Sequence, residues 1–217
     1  MPKPPKAAFF YVHTGEILVA AGDTEAELFR LSHEGKLLGS FASEKGPPGP
    51  IRAFGERVYW IVGGKIVSYS ADGKGRKVEG DFPGSTDLAF DSKGRLHVAS
   101  EAGVEAGGAK VHAEPSSGLF SLGGGLHSLT GKGWIAPLSG GAAVKGCACV
   151  GLERASNGQW LTADNKGVHS VGKGKETIVK SAYPPGRIGY LYRKDPKEDL
   201  LLVPVPEEKR VRAYKAP

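Results

Sequence analysis

Two cysteines, one methionine and three tryptophans are all that this 217-residue chain holds of those types, and asparagine occurs only twice. So few cysteines exclude a disulfide framework and a sulfur-only zinc site. No run of about 18 apolar residues occurs, which excludes a membrane-spanning helix. The start, Met1 to Lys6, is basic, but the apolar stretch behind it, Ala7 to Val12, is too short for the core of a signal peptide. As written the chain is expected in the cytoplasm; a leader replaced by Met1 would make it exported or periplasmic. Helical periodicity is nearly missing, and its best case, Thr24 to Leu31, reads better as a strand entering a turn. There is no Gly-x-Ser-x-Gly elbow. Gly123-Gly124-Gly125 lacks the helix signal and the Lys-Ser/Thr of a phosphate loop, and reads as a turn.

What the chain does have is glycine, 33 residues of it, and a positive balance of +6. The cations are spread over turns at Lys36, Lys74, Lys93, Lys132, Lys173 and Lys194. Lysines at turns and strand edges discourage edge-to-edge pairing. Nucleic-acid binding needs a clustered patch with interleaved aromatics, so no nucleic-acid partner is expected.

The glycines mark a repeat. An apolar strand, a polar turn ending in Gly and a second apolar strand recur through Gly15, Gly55, Gly94, Gly133 and Gly158, spaced 40, 39, 39 and 25 residues apart. Asp87 to Ser100 is the clearest copy. The fourth runs from Leu126 to Ala136 and the fifth from Leu152 to Asp164. A sixth, without the glycine, runs from Ile188 through a turn at Arg193 to Asp199 and on to Val203. Third strands follow at Glu27 to Ser32 and Lys65 to Ser70. Glu101 to Gly108, rich in Ala, Gly and Glu, reads as a surface loop. A period near 40 residues with several strands per unit is the signature of propeller blades. The expected fold is all-β: a six-bladed β-propeller forming a single domain over residues 1–217. The 25-residue gap places a shortened blade fourth, lacking its outer strand.

The sixth unit carries the most specific text: Arg187-Ile188-Gly189-Tyr190, then Leu200 to Pro204, then Lys209-Arg210-Val211-Arg212-Ala213-Tyr214. This resembles the closing blade of the senescence-marker-protein/gluconolactonase-like (SMP-30) propellers, which share their grammar with NHL-type repeats. Thr86 to Ala99 is similar to that family's Asn-Asp-Val-Ala-Val-Asp blade opening. Gly151-Leu152-Glu153 with Trp160 to Asp164 is similar to its Gly-Val-Glu and Trp-Leu-Val-Ser-Asp. The resemblance implies a divalent metal at the channel mouth, held by a Glu opening the first blade, two Asn and an Asp. Such a metal polarises a lactone carbonyl and activates water.

Set against that pattern, Lys6-Ala7-Ala8 stands where the Glu belongs, Thr86 where an Asn belongs, and Arg187 where an Asp is common. Asn157 and Asn165 open no inner strand. No metal and no other cofactor are therefore expected, and a divalent cation (Ca, Mg, Mn or Zn) enters only with the alternative, a metal-dependent lactone or ester hydrolase.

Inner-strand starts face the mouth, which makes Asp87, His127, Glu153 and Arg187 the candidate ligand-binding residues. They read as structural ion pairs or rim charges, or as a site in which Glu153, the one weak catalytic candidate, serves as general acid/base while Arg187 holds an anion. His127 reads as a satisfied or exposed strand histidine. Trp60, Trp134 and Trp160 fall in second strands and are expected in packing between blades. Cys147 and Cys149 share a strand face as buried small side chains, a redox pair or half a metal site. Together these make a monomeric, non-catalytic binding propeller with a degenerate metal site, whose partner is a protein or a small anionic ligand on one face.

Overall fold

Strand, tight turn and strand alternate because apolar residues at every second position can be buried only on a pleated sheet, and each turn glycine takes the left-handed backbone that closes a short hairpin. Gly94, at φ 77°, is one such residue. In a computed structural model, residues 1–122, 125–145, 150–154, 159–164, 167–171, 176–180, 187–191 and 195–215 are described. Among them every regular element is a strand, apart from two short 3-10 turns. The helix-poor, all-β reading is thus shown. Among the described residues no helix is long and apolar enough to cross a membrane.

The strands form six small antiparallel sheets among the described residues. Sheet one holds β1 (Pro5–Tyr11), β2 (Glu16–Ala21), β3 (Glu25–Leu31) and β4 (Leu37–Lys45) in sequence order. Sheet two holds β5 (Pro48–Phe54), β6 (Arg57–Val62), β7 (Lys65–Ser70) and β8 (Lys77–Asp81). Sheet three holds β9 (Ser85–Phe90), β10 (Leu96–Ser100), β11 (Gly103–Ala106) and β12 (Ala109–His112). Sheet four holds β13 (Ser116–Leu122), β14 (Gly125–Thr130), β15 (Trp134–Pro137) and β16 (Val144–Lys145). Sheet five holds β17 (Val150–Arg154), β18 (Trp160–Asp164), β19 (Gly167–Val171) and β20 (Glu176–Lys180). Sheet six has three strands, β21 (Gly189–Leu191), β22 (Leu200–Val205) and β23 (Arg210–Lys215).

Four expectations need correction. Gly133 does not close the first hairpin of sheet four: it lies between β14 and β15, and the first hairpin turns between Leu122 and Gly125. The repeat anchor slipped by one strand there, because Thr130-Gly131-Lys132-Gly133 imitates the turn sequences of the earlier copies. The apparent 25-residue gap is a product of that slip. Sheet four keeps its outer strand as the two-residue β16, and the three-stranded sheet is the sixth. The stretch expected to be a loop after β10 contains β11, with Val104 buried. Its Ala and Gly content hides a strand whose small side chains suit a crowded position. Trp134 opens β15, a third strand, and is 42% exposed rather than packed between sheets.

Contacts divide the chain into two compact units, residues 1–83 with 185–217 and residues 84–184. In the first unit, Tyr11, Leu18, Leu28, Phe41, Ile51, Trp60 and Tyr69 belong to one buried cluster. Sheet six joins sheet one through the backbone. Ala7 and Arg187 form a parallel bridge, Arg187 N–H donates to the Lys6 carbonyl at 2.7 Å, and Ala8 N–H donates to the Arg187 carbonyl at 3.2 Å. A side chain at Gly189 would stand 2.6 Å from the Ala8 carbonyl oxygen, so this junction requires glycine. In the second unit, Ala89, Ala99, Val104, Leu119 and Leu126 share one cluster across sheets three and four.

Candidate functional site

Asp87 sits in the middle of β9 and is fully buried. One carboxylate oxygen accepts the N–H of Leu88 at 2.8 Å, and the other accepts the N–H of Leu119, on β13, at 2.7 Å. Its neighbour Thr86 donates its hydroxyl to the Ser116 carbonyl at 2.6 Å. This pair fastens sheet three to sheet four. A buried carboxylate is stabilised by backbone N–H groups that it accepts, and these two bonds hold Asp87 in the sheet.

His127 lies on β14, the second strand of sheet four, not at an inner-strand start. The strand slip accounts for this misplacement. Its ring stacks on Phe120 with centroids 5.1 Å apart and planes 26° apart. Glu153, half-buried on β17, stands opposite Leu161 of β18. Arg187 belongs to the other compact unit, where its backbone forms the junction with Lys6 and Ala8. Cys147, Cys149, Asn157 and Asn165 lie outside the described residues.

The divalent-metal site implied by the resemblance asks for oxygen donors that these positions do not offer. Lys6 forms an ion pair with Asp23 at 3.2 Å, while Ala7 and Ala8 are buried apolar residues. The Thr86 hydroxyl and both Asp87 oxygens are engaged in the bonds just described. Among the described residues no group of three or more His, Cys, Asp or Glu side chains is arranged to hold a metal.

Two polar constellations escaped the sequence reading. At the turn after β9, Asp91 accepts the N–H groups of Lys93 and Arg95 at 2.9 Å each and the Arg95 Nε at 3.1 Å. Its second oxygen lies 3.3 Å from Nε2 of the buried His97 on β10. The Arg95 N–H, helped by His97, holds the Asp91 carboxyl well below the usual carboxylate range. In sheet five, His169 is 1% exposed and places Nε2 at 2.7 Å from Asp164 Oδ1 and Nδ1 at 3.1 Å from Thr177 Oγ1. The order carboxylate, imidazole, hydroxyl is that of a nucleophilic triad, but a ring this buried presents neither nitrogen to a substrate. These bonds tie the second, third and fourth strands of one sheet together. The Asp91-Ser92-Lys93-Gly94-Arg95 turn held the only available signal, since Asp at a turn start caps its own backbone.

In the first unit the equivalent polar knot is aromatic. Tyr69 donates its hydroxyl to Glu44 at 2.5 Å, and Glu44 also accepts the Arg76 Nε. Burial, then the bond to Glu44, pushes the Tyr69 hydroxyl well above its ordinary pKa, while the Arg76 guanidinium holds Glu44 low.

No family model matches the chain. No curated protein matches it either. Among solved structures, 674 chains are similar in fold. One is the computationally designed Ika8 protein in crystal form P63, with a TM-score of 0.57, 10% identity, and 100% of this chain and 97% of that chain covered. At that identity the likeness concerns fold alone.

Proposed function

We propose that the six sheets are the blades of a single six-bladed propeller domain, and that the protein is a non-catalytic binding module. Its ligand is a protein or a small anion taken at one face, and the metal site of the SMP-30/gluconolactonase-like hydrolases is degenerate in it. One observation carries this reading: the carboxylate of Asp87, the acidic side chain nearest to the family's ligand pattern, is buried and spent on two backbone N–H groups. Withdrawing it to bind a cation would leave buried donors of Leu88 and Leu119 unpaired, at about 1–3 kcal/mol each.

A metal titration followed by thermal unfolding tests the reading. With Ca²⁺, Mn²⁺ or Zn²⁺ in excess, a resident site raises the melting temperature; the expected result is no rise. A rise of several degrees, together with lactone hydrolysis that disappears in Glu153→Gln, would overturn the binding-module reading in favour of the hydrolase.

A further inference from the structure

Two turns of the first unit are built on one plan. Ser32-His33-Glu34-Gly35-Lys36 leads from β3 to β4, and Ser70-Ala71-Asp72-Gly73-Lys74 leads from β7 toward β8. In both, the serine N–H donates to the lysine carbonyl at 2.8 Å, and the glycine N–H donates to the serine carbonyl at 2.9 Å. Both glycines take the left-handed backbone, at φ 85° and 79°. Two differences separate the turns. The residue before the glycine is Glu34 in the first and Asp72 in the second, and Asp72-Gly73 is the one Asp-Gly pair in the chain. The space beyond the glycine also differs. A side chain at Gly35 would meet nothing within 4 Å, whereas one at Gly73 would begin 2.7 Å from the Phe41 carbonyl oxygen and 3.6 Å from its ring.

The Asp72 side chain is 58% exposed and folds back over its own turn. Oδ1 accepts the Lys74 N–H at 3.0 Å, and Oδ2 lies 3.7 Å from the Lys74 ammonium. An aspartate that bonds the N–H two residues on holds its carboxyl carbon beside the peptide nitrogen in between. That nitrogen belongs to Gly73, and no Cβ shields it. Closure of Asp72 on it makes a five-membered ring; Glu34 on Gly35 would have to make a six-membered one. Asp91 also opens a turn and accepts the N–H two residues on, but Ser92 follows it and its side chain is only 16% exposed.

We propose that Asp72-Gly73 is a self-modification site, where the chain isomerises its own backbone and thereby unseats Phe41. The Gly73 nitrogen attacks the carboxyl carbon of Asp72. One carboxyl oxygen leaves as water, taking the Gly73 amide proton and one proton from solvent, and a cyclic imide remains. Water then opens the imide. Attack at the side-chain carbonyl restores aspartate. Attack at the main-chain carbonyl leaves isoaspartate, whose main chain runs through Cβ and Cγ and is one carbon longer. Nothing is oxidised or reduced, and the mass is unchanged. The extra carbon enters where Gly73 lies so close to Phe41 that even a Cβ has no room. Phe41 is 8% exposed and meets the Tyr69 ring edge-on with centroids 6.0 Å apart. The lengthened turn therefore pushes β4 away from sheet two at the aromatic cluster of the first unit. This inference does not depend on what the proposed binding face takes up.

The test ages the full folded chain at physiological temperature and pH and digests samples with trypsin. Peptides 66–74 and 31–36 then carry the two turns. Isoaspartate is measured by enzymatic methylation of its free α-carboxylate and placed by electron-transfer fragmentation. It should accumulate in peptide 66–74 at a rate within threefold of that of the same peptide free in solution, and peptide 31–36 should stay unchanged. Asp72→Glu, which rewrites the turn as its Glu34 counterpart, should abolish the product. The isomerised fraction, separated by chromatography, should exchange the amides of residues 41–45 at least fivefold faster than fresh protein. Isomerisation in the folded chain more than threefold slower than in the free peptide would show that the turn protects Asp72. A smaller rise in exchange at 41–45 would detach Phe41 from the modification. Either result would overturn the proposal.

Discussion

The first compact unit is held around one cluster of large rings, Tyr11, Phe41, Trp60 and Tyr69. The second buries smaller side chains and, among the described residues, Asp87, His97, Ser116, Ser128, Thr130, Thr162, His169 and Ser170 with them; in the first, the buried polar residues are Ser68 and Asp199. Sequences of one repeat grammar have thus reached a core in two ways. Rings exclude water by volume and tolerate small shifts. Buried polar groups stabilise only while each keeps its partner at bonding distance, because an unmade buried hydrogen bond costs more than a made one returns. The second unit should therefore answer more sharply to single-atom changes, and the first to loss of volume.

The sharpest break in this contrast comes from Trp60, which is fully buried. Trp60→Ala should cost about 3–5 kcal/mol in urea unfolding, with amide exchange rising first in residues 1–83 and 185–217. A uniform rise over the whole chain would show that the two units unfold as one and remove the basis of the comparison. Next is Asp87→Ala, expected to cost roughly 2–4 kcal/mol by orphaning two buried N–H groups. Asp87→Asn keeps one acceptor and should recover about half. A loss below about 1 kcal/mol in Asp87→Ala would mean that the staple between β9 and β13 matters little.

Acid probes one carboxylate of the second unit. The folded Asp91 carboxyl titrates below its unfolded value, so its contribution is whole above about pH 4 and is lost as the pH falls toward the folded value. The urea midpoint should drop between pH 5 and pH 2.5. In Asp91→Asn, which loses about 1–2 kcal/mol at pH 7 with its charged bonds, that drop should shrink. An unchanged pH profile in the variant would place the acid sensitivity elsewhere. The smallest effect belongs to Tyr69→Phe. It removes one hydroxyl from Glu44, which keeps its bonds to Arg76, and should cost about 1 kcal/mol or less. A larger loss would make the first unit as dependent on polar bonds as the second.

Strand content was legible because short apolar runs stop at turn residues: β7 starts and ends at Lys65 and Ser70, between Gly64 and the Asp72-Gly73 turn. Where sheet four begins was not legible. Leu122 already faces Gly125 across β13 and β14, while the turn after β14 carries a Lys132-Gly133 like the Lys93-Gly94 of the third copy. That single slip moved His127 and Trp134 onto the wrong strands. Asp87 was singled out as a candidate, but its bonds to the backbone were not legible. A sequence shows that a carboxylate opens a strand, but not that the next sheet aims a backbone N–H at it. The Gly-Tyr of the sixth unit has a plain cause once β1 is beside it. Gly189 clears the Ala8 carbonyl, and the Tyr190 hydroxyl donates to the buried Asp199 at 3.1 Å.

The bridge between Ala7 and Arg187 joins residues 180 positions apart in the chain. During synthesis, residues 84–184 are complete while the first unit still lacks its last 33 residues. The later-numbered unit is then the first able to finish folding. The strands made earliest wait with an unpaired edge for the closing segment, and bringing those ends together costs roughly 4–5 kcal/mol in chain entropy. The order of assembly runs against the order of the sequence, and the interval in which β1 stands open is when a nascent chain of this protein is most exposed to mispairing.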